Sequence, residues 1–183
     1  MTGYRPAFEA GLRLLARASE LMEKRGFARP VLVGGGAVEL YTQSAVMTGD
    51  FDVVTPRQEA FEEALSQLGF VRPAGTGHVP NGWLHPQLLL GFEVVAATVL
   101  DGVADPERLL LLDLGEDGRV AVIAIEDIIA DRMGQYASGS APAMLEQARA
   151  LFALHRDADV QYLDRRIRYE TAGSHGITDL EQS

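Results

Sequence analysis

The sequence predicts an α/β (α+β) fold, in which a sheet of four to six strands is flanked by helices and followed by a C-terminal helical section. Short apolar runs bounded by turn residues alternate with helical patterns as far as about residue 125. Beyond that point the spacing of apolar residues is helical throughout. A chain of 183 residues with 47% hydrophobic residues can bury a sizeable core. We therefore expect an α/β core at 1–125 and a helical section at 126–183 packed on it.

The first five elements follow from apolar periodicity and from glycine at the helix ends. We expect a helix over 7–25, a strand over 30–33, a helix over 37–45, a strand over 51–54 and a helix over 58–68. The first and third helices each carry one apolar stripe among charged residues, and Gly26 and Gly69 follow their last turns.

A segment at 72–86 is rich in Pro, Gly and His, which predicts a loop or an irregular hairpin. His78, Trp83 and His85 lie within it. These side chains are candidates for stacking on a base or bonding a substrate, and the alternative is an ordinary loop with surface histidines.

The remaining elements divide into strands and then helices. Residues 87–100 are almost wholly apolar apart from Glu93 and predict a strand that bends at Gly91. We expect further strands over 109–114 and 119–125, helices over 126–136, 142–155 and 160–169, and a frayed tail from Ala172.

Charge and composition exclude several classes of function. The formal net charge is −10, from 16 basic and 26 acidic residues, and it opposes broad, non-specific binding to nucleic acid. The absence of cysteine excludes disulfides, thiolate metal sites and cysteine nucleophiles. No apolar run approaches the roughly 20 residues that span a bilayer, and the charged N-terminal segment is unlike a secretory signal. We therefore expect a soluble, cytoplasmic protein with no membrane partner.

Three consecutive glycines, Gly34 to Gly36, lie between the first predicted strand and the next helix. Glycine lets the backbone approach a ligand closely, and free N–H groups at a helix start attract an anion. The stretch differs from the dinucleotide fingerprint G-x-G-x-x-G, and no Lys-Ser or Lys-Thr pair marks a P-loop. The glycines alone fit both a phosphate-binding turn and an ordinary strand-to-helix turn.

Asp50 and Asp52 alternate with apolar residues, so on a strand both carboxylates point to one face. A divalent cation bound through oxygen would offset their mutual repulsion. Glu93 is the only charged residue between 87 and 100. If its strand lies beside that of Asp50, three carboxylates would hold two Mg²⁺ (or Mn²⁺) ions, which activate a hydroxyl and stabilise a leaving group. The alternatives are a solvated strand edge for the aspartates and an ion pair with an arginine such as Arg132 for Glu93.

These features together resemble the DNA polymerase beta-like nucleotidyltransferase superfamily, most closely its small prokaryotic members found in toxin–antitoxin and abortive-infection systems. The pattern is a glycine pair, a short helix, Thr-x-Asp-x-Asp and an isolated acid on a later strand. The matching residues are Gly35, Gly36, Thr48, Asp50, Asp52 and Glu93.

The resemblance implies a nucleotidyltransferase-like mixed sheet and a nucleoside triphosphate (NTP) as substrate. It implies that the glycine pair contacts the triphosphate and that Thr48 belongs to the nucleotide site. It also implies that the two aspartates bind both metal ions and that Glu93 binds the catalytic one.

A second motif supports the same resemblance. The segment 125–133, with Glu126-Asp127 and Asp131-Arg132, is similar to a helix that follows the core in these relatives. The resemblance implies that Arg132 faces the cleft and contacts phosphate or a catalytic acid. The alternative is an ion pair of Arg132 with Glu126 or Asp127. A pair with Asp131 is not expected, because side chains one residue apart diverge on a helix.

Two positions depart from the family pattern. Met47 stands where many relatives have a basic residue, and Glu93 stands where the third acid is usually aspartate.

The resemblance leads to a first hypothesis, a metal-dependent nucleotidyltransferase that moves a nucleoside monophosphate from an NTP to a hydroxyl of an RNA, a protein or a small molecule. The second is a catalytically inactive binding module of the same fold, such as a toxin–antitoxin component with a protein partner. A Rossmann-like nucleotide binder is disfavoured, because such a site needs only one acid at the ribose.

Overall fold

The computed structural model describes residues 3–73 and 82–181. The strands are β1 (Val31–Val33), β2 (Asp50–Val54), β3 (Trp83–His85), β4 (Leu90–Ala96), β5 (Leu110–Asp113) and β6 (Arg119–Val122). The helices are α1 (Pro6–Lys24), α2 (Gly34–Tyr41), α3 (Gln58–Gln67), α4 (Ile125–Ala137), α5 (Met144–Leu154), α6 (Val160–Glu170) and α7 (Thr178–Glu181). Contacts divide the chain into two compact units, Met1–Ile123 and Ala124–Ser183. None of the helices in the described ranges is long and apolar enough to cross a bilayer.

The six strands form one mixed sheet in the order β3-β4-β2-β1-β6-β5. Strands β2 and β4 run parallel, as do β1 and β6, whereas β1 and β2 run antiparallel. The two edge strands, β3 and β5, each pair antiparallel with their neighbour. This mixed α/β architecture confirms the predicted fold class.

The alternation of side chains along β2 and β4 gives the sheet two different faces at its centre. Phe51 and Phe92 are fully buried on one face, where their rings stack with centroids 4.6 Å apart. Phe8 of α1 stacks on Phe51 at 5.2 Å, so the apolar stripe of α1 covers this face. Because side chains alternate along a strand, the neighbours of these phenylalanines point to the opposite face.

Several boundaries differ from the prediction. Helix α2 begins at Gly34 rather than at residue 37, so the glycines form its first turn. Strand β4 is shorter than the apolar run, because Leu89 turns the chain in the left-handed region (φ +53°) and a 3₁₀ turn takes Val99–Gly102. The segment 72–86, which was predicted as a loop or hairpin, supplies the short strand β3. Residues 74–81 of this segment, which include His78, lie outside the described residues.

The unit Ala124–Ser183 is built from α4 to α7. Buried Asp127 on α4 accepts hydrogen bonds from Nε of Arg166 at 2.7 Å and from the Tyr162 hydroxyl at 3.1 Å. Residues 172–181, which were predicted to fray, are ordered and include helix α7. The Ile177 N–H donates to Asp164, and Leu180 is buried. A short polar sequence can stay ordered when its backbone groups are bonded in this way.

Candidate functional site

The glycine turn is shaped by close contacts with strand β2 and its approach. Gly34 has a φ of +57°, a left-handed conformation that turns β1 into α2. A Cβ on Gly34 would lie 2.8 Å from Cγ of Asp52 and closer still to Oδ2. A Cβ on Gly35 would lie 2.6 Å from Oγ1 of Thr48. The turn therefore requires glycine at both positions, because side chains of another segment occupy the space.

Gly36 has different surroundings from the two glycines before it. It is buried, and a Cβ there would lie 2.8 Å from Cδ1 of Leu32 on β1. Gly34 and Gly35 are half-buried, and the Gly35 N–H donates to Oδ2 of Asp52 at 3.4 Å. The partly accessible pair is thus Gly34-Gly35, and triphosphate contact by Gly36 stays a prediction.

Asp50, Asp52 and Glu93 lie on the same face of two adjacent parallel strands. Asp52 is the register partner of Glu93, and Asp50 is the partner of Gly91. Asp50 is exposed, whereas Asp52 and Glu93 are half-buried. Asp50 leans over β4, because a Cβ on Gly91 would lie 3.4 Å from its Cγ and closer to Oδ1. The condition set by the sequence, that the strand of Glu93 lies beside that of the aspartates, is met.

The donor chemistry of these side chains fits a hard divalent cation. All three are carboxylates, the ligands that Mg²⁺ and Mn²⁺ prefer. Within residues 3–73 and 82–181, the side chains of Asp50 and Glu93 form no ion pair or hydrogen bond with another residue. In the same ranges no three His, Asp or Glu side chains are grouped closely enough to hold a metal ion. The three carboxylates therefore share a face, and holding one metal ion between them would require side-chain movement.

Thr48 connects the glycine turn to the start of β2. Its Oγ1 donates to the carbonyl of Asp50 at 3.2 Å and accepts from the Asp50 N–H at 3.3 Å. The same oxygen is the atom that a Cβ on Gly35 would meet. Thr48, Gly35 and the two aspartates thus lie together, as the sequence pattern predicts for one site.

Arg132 lies on α4, in the other unit, and its side chain is buried. Its Nη1 is 3.3 Å from Oδ2 of Asp131 and 3.8 Å from Sδ of Met144, and its Nε has no partner in the described chain. The expectation that Asp131 would not pair with Arg132 is wrong, because their charged groups lie within ion-pair distance. Glu126 and Asp127 pair elsewhere. The role of Arg132 in phosphate binding stays a prediction.

Trp83 and His85 lie on β3 and are half-buried. The His85 ring packs edge-on against Phe70 at 5.1 Å, which favours a structural role for this histidine. The guanidinium of Arg72 lies 5.4 Å from the centre of the Trp83 ring. Trp83, Phe92 and Glu93 line a cavity of about 320 Å³ together with residues of α3. Because Trp83 is the register partner of Phe92, this cavity lies on the phenylalanine face of the sheet and not on the face of the Asp50 and Asp52 carboxylates.

Two residues of this region, Arg5 and Glu39, were not selected as site residues from the sequence. Glu39 is fully buried on α2, where Nε of Arg5 lies 2.6 Å from its Oε1 and the Thr48 N–H donates to Oε2 at 2.6 Å. A signal was present, because Glu39 is the only charged residue between 31 and 49. The same reasoning that selected Glu93 would have selected it.

Comparisons with known proteins identify the fold. No protein-family model matches the sequence, and no curated protein matches it. A nucleotidyltransferase-like antigenic protein from Paracoccidioides brasiliensis superimposes with a TM-score of 0.63 at 14% identity, covering 97% of this chain and 94% of that one.

The antibiotic-resistance factor ANT(2'')-Ia is similar in two solved structures. Its solution structure gives a TM-score of 0.54 at 16% identity, with 90% of this chain and 92% of that one covered. Its crystal structure in complex with adenylyl-2''-tobramycin gives 0.55 at 16% identity, with 89% and 98% covered. The chain therefore has the fold of nucleotidyltransferases.

Proposed function

We propose that this protein is a metal-dependent nucleotidyltransferase that moves a nucleoside monophosphate from an NTP to an acceptor hydroxyl. In this reaction the acceptor oxygen forms a bond to the α-phosphorus, the hydroxyl proton is released, and pyrophosphate leaves. One observation carries the proposal: Asp50, Asp52 and Glu93 lie on one face of adjacent strands beside a glycine turn. The nucleotidyltransferase fold of the solved neighbours supports it.

Each part of the site has an assigned role. Asp50 and Asp52 would hold Mg²⁺ (or Mn²⁺), with Glu93 as the third ligand. A bound divalent ion would supply charge neutralisation at the phosphates and activation of the hydroxyl. The backbone N–H groups of the glycine turn, at the start of α2, would bind the triphosphate. The side chains hold the reactants in position, and positioning with charge neutralisation accounts for the catalysis.

We favour a small molecule as acceptor over an RNA or a protein. The net charge of −10 repels a polyanion. One solved neighbour was captured with adenylyl-2''-tobramycin, a modified small molecule.

The test is transfer of label from an α-³²P-labelled NTP, with each of the four nucleotides, in Mg²⁺, Mn²⁺ or chelator. We expect the double variant Asp50→Asn with Asp52→Asn to lose transfer while keeping the wild-type circular dichroism. The matched control is Asp113→Asn with Glu116→Gln, which makes the same charge change at exposed positions on and beside the edge strand β5. Residual transfer by the Asp50/Asp52 variant at the wild-type rate would show that the assignment is wrong.

A second candidate is an inactive binding module of the same fold. It is favoured by the absence, in the described residues, of three acidic or histidine side chains grouped for metal binding. Calorimetric titration with Mg²⁺ and each nucleotide separates the two. Binding of a nucleotide supports the enzyme, and no binding of any of the four supports the module.

A further inference from the structure

We propose that Arg5 and Glu39 are positioning residues of the candidate site. They form an ion pair, with Glu39 fully buried and Arg5 partly exposed, that fixes Thr48, and with it the start of β2, against the glycine turn. The inference rests on the proposed function, because the group that the pair positions is the Asp50 carboxylate.

The carboxylate of Glu39 is surrounded by donors. Its side chain is 0% exposed. Oε1 accepts from Nε of Arg5 at 2.6 Å and from Oγ of Ser44 at 2.9 Å. Oε2 accepts from Nη2 of Arg5 at 3.0 Å and from the Thr48 N–H at 2.6 Å. A buried carboxylate persists only when it is paired and bonded in this way, so removing a donor or the charge leaves the others unsatisfied.

The ion pair holds both backbone polar groups of Thr48. Glu39 accepts from its N–H, and Nη2 of Arg5 donates to its carbonyl. Thr48 in turn bonds the Asp50 backbone through Oγ1 and occupies the space beside Gly35. The ion pair is therefore one hydrogen-bonded residue away from the first metal-binding aspartate and from the predicted phosphate turn.

The connection between α2 and β2 also depends on this pair. Gln43 and Ser44 are both left-handed, with φ of 51° and 64°, although neither is glycine. Such a conformation is strained in a residue other than glycine and persists only where surrounding bonds fix it. Ser44 Oγ bonds Glu39 and accepts from the Arg5 N–H at 3.1 Å. The pair therefore does more than join α1 to α2, because it also fixes the strained connection that leads from α2 into β2 and the site.

The test compares Glu39→Gln with a matched control, Glu20→Gln. Glu20 is 29% exposed and pairs with Nη1 of Arg29 at 2.8 Å, so the control weakens a half-buried ion-pair cluster of the same unit, in which Arg29 keeps Glu23 as a partner. We expect Glu39→Gln to lower turnover by about 10-fold or more and to raise the Mg²⁺ concentration for half-maximal rate, because misplacement of a reacting group is costly. The KM for the nucleotide should change little, and Glu20→Gln should leave all three unchanged.

Amide hydrogen exchange gives a readout that does not require activity. The Asp50 N–H bonds Thr48 and not Glu39, so its protection reports on positioning. We expect Glu39→Gln to lower that protection by about 10-fold or more, as for the loss of a net hydrogen bond of about 1.5 kcal/mol, and Glu20→Gln to leave it intact.

The outcomes separate the two proposals. If the wild-type protein transfers no nucleotide, the proposed function fails, and the exchange data decide the positioning inference alone. Unchanged Asp50 protection and turnover in Glu39→Gln overturn the inference, even if the variant is less stable. If Glu39→Gln does not fold, Arg5→Gln carries the same comparison, because Arg5 is 26% exposed and leaves the Ser44 and Thr48 donors on Glu39.

Discussion

Replacement of Gly34 by alanine tests whether strand β2 presses on the glycine turn. Alanine in the left-handed region costs about 1–2 kcal/mol. The new Cβ would also lie 2.8 Å from Cγ and 2.9 Å from Cβ of Asp52. Rotation of the Asp52 side chain can move its Cγ but not its Cβ, so the backbone of β1 or β2 must shift. Overpacking of this kind costs about 1–3 kcal/mol. We expect a total loss of about 2–5 kcal/mol in the free energy of unfolding.

Gly69→Ala is the matched control for this variant. Gly69 is also left-handed, with φ of +88°, but a Cβ there would meet nothing within 4 Å. It should therefore lose only the conformational part, about 1–2 kcal/mol. Urea denaturation followed by circular dichroism measures both variants, and the difference between them isolates the contact with Asp52.

Equal losses for Gly34→Ala and Gly69→Ala would refute this reasoning, because they would show that Asp52 does not fill the space beside the turn. Activity provides a second check. Gly34→Ala should lower nucleotide transfer per folded molecule, since relief of the contact displaces the Asp52 carboxylate, whereas Gly69→Ala should keep the wild-type rate.

Two further predictions concern pH. Hydrogen bonds from Arg13 and Arg17 hold the pKa of the Asp117 carboxyl below its usual value. A lowered folded-state pKa gives stability that is present above the unfolded pKa and is lost as pH falls through the folded one, so wild type should lose more stability than Asp117→Asn below about pH 4. The difference should be small, because the arginines are 42% and 55% exposed. In the helical unit, burial raises the pKa of the Asp127 carboxyl and Arg166 opposes the rise. Arg166→Met should cost about 3–5 kcal/mol at neutral pH. Loss of the arginine should raise the pKa of Asp127 further, so that this carboxyl becomes protonated, and the loss of stability smaller, as the pH falls toward about 4. Urea denaturation of each variant over a pH series checks both predictions.

The centre of the fold could be predicted because its signals are local. Period-two alternation placed Asp50 and Asp52 on one face opposite a buried Phe51, and the structure agrees. Glycines after a short apolar run marked the turn from β1 to α2. The helix start at Gly34 could not be predicted, because it depends on the left-handed φ of Gly34, and the three glycines do not indicate which of them adopts it.

Non-local pairings were beyond the sequence. The parallel register of β2 and β4 joins segments about 40 residues apart, and no local pattern sets which residue faces Asp52. The tail after Ala172 is polar, and its order comes from bonds between Asp164 and Ile177 and between Asp179 and Gly176. Strand β3 has only three residues and follows a segment rich in turn residues. It is a strand because it pairs with β4, and a pattern of three residues could not predict that pairing.

Glu39 and Glu93 show why a lone charge in an apolar segment is an ambiguous signal until its surroundings are known. Each is the only charged residue of its segment. The carboxylate of Glu39 is closed off by Arg5, Ser44 and Thr48, so it has no capacity left for a ligand. Glu93 is half-buried and has no cationic partner in the described chain. Because burial of a charge is costly without compensation, its ion pair and hydrogen bonds account for the full burial of Glu39, whereas cation binding by Glu93 stays a prediction.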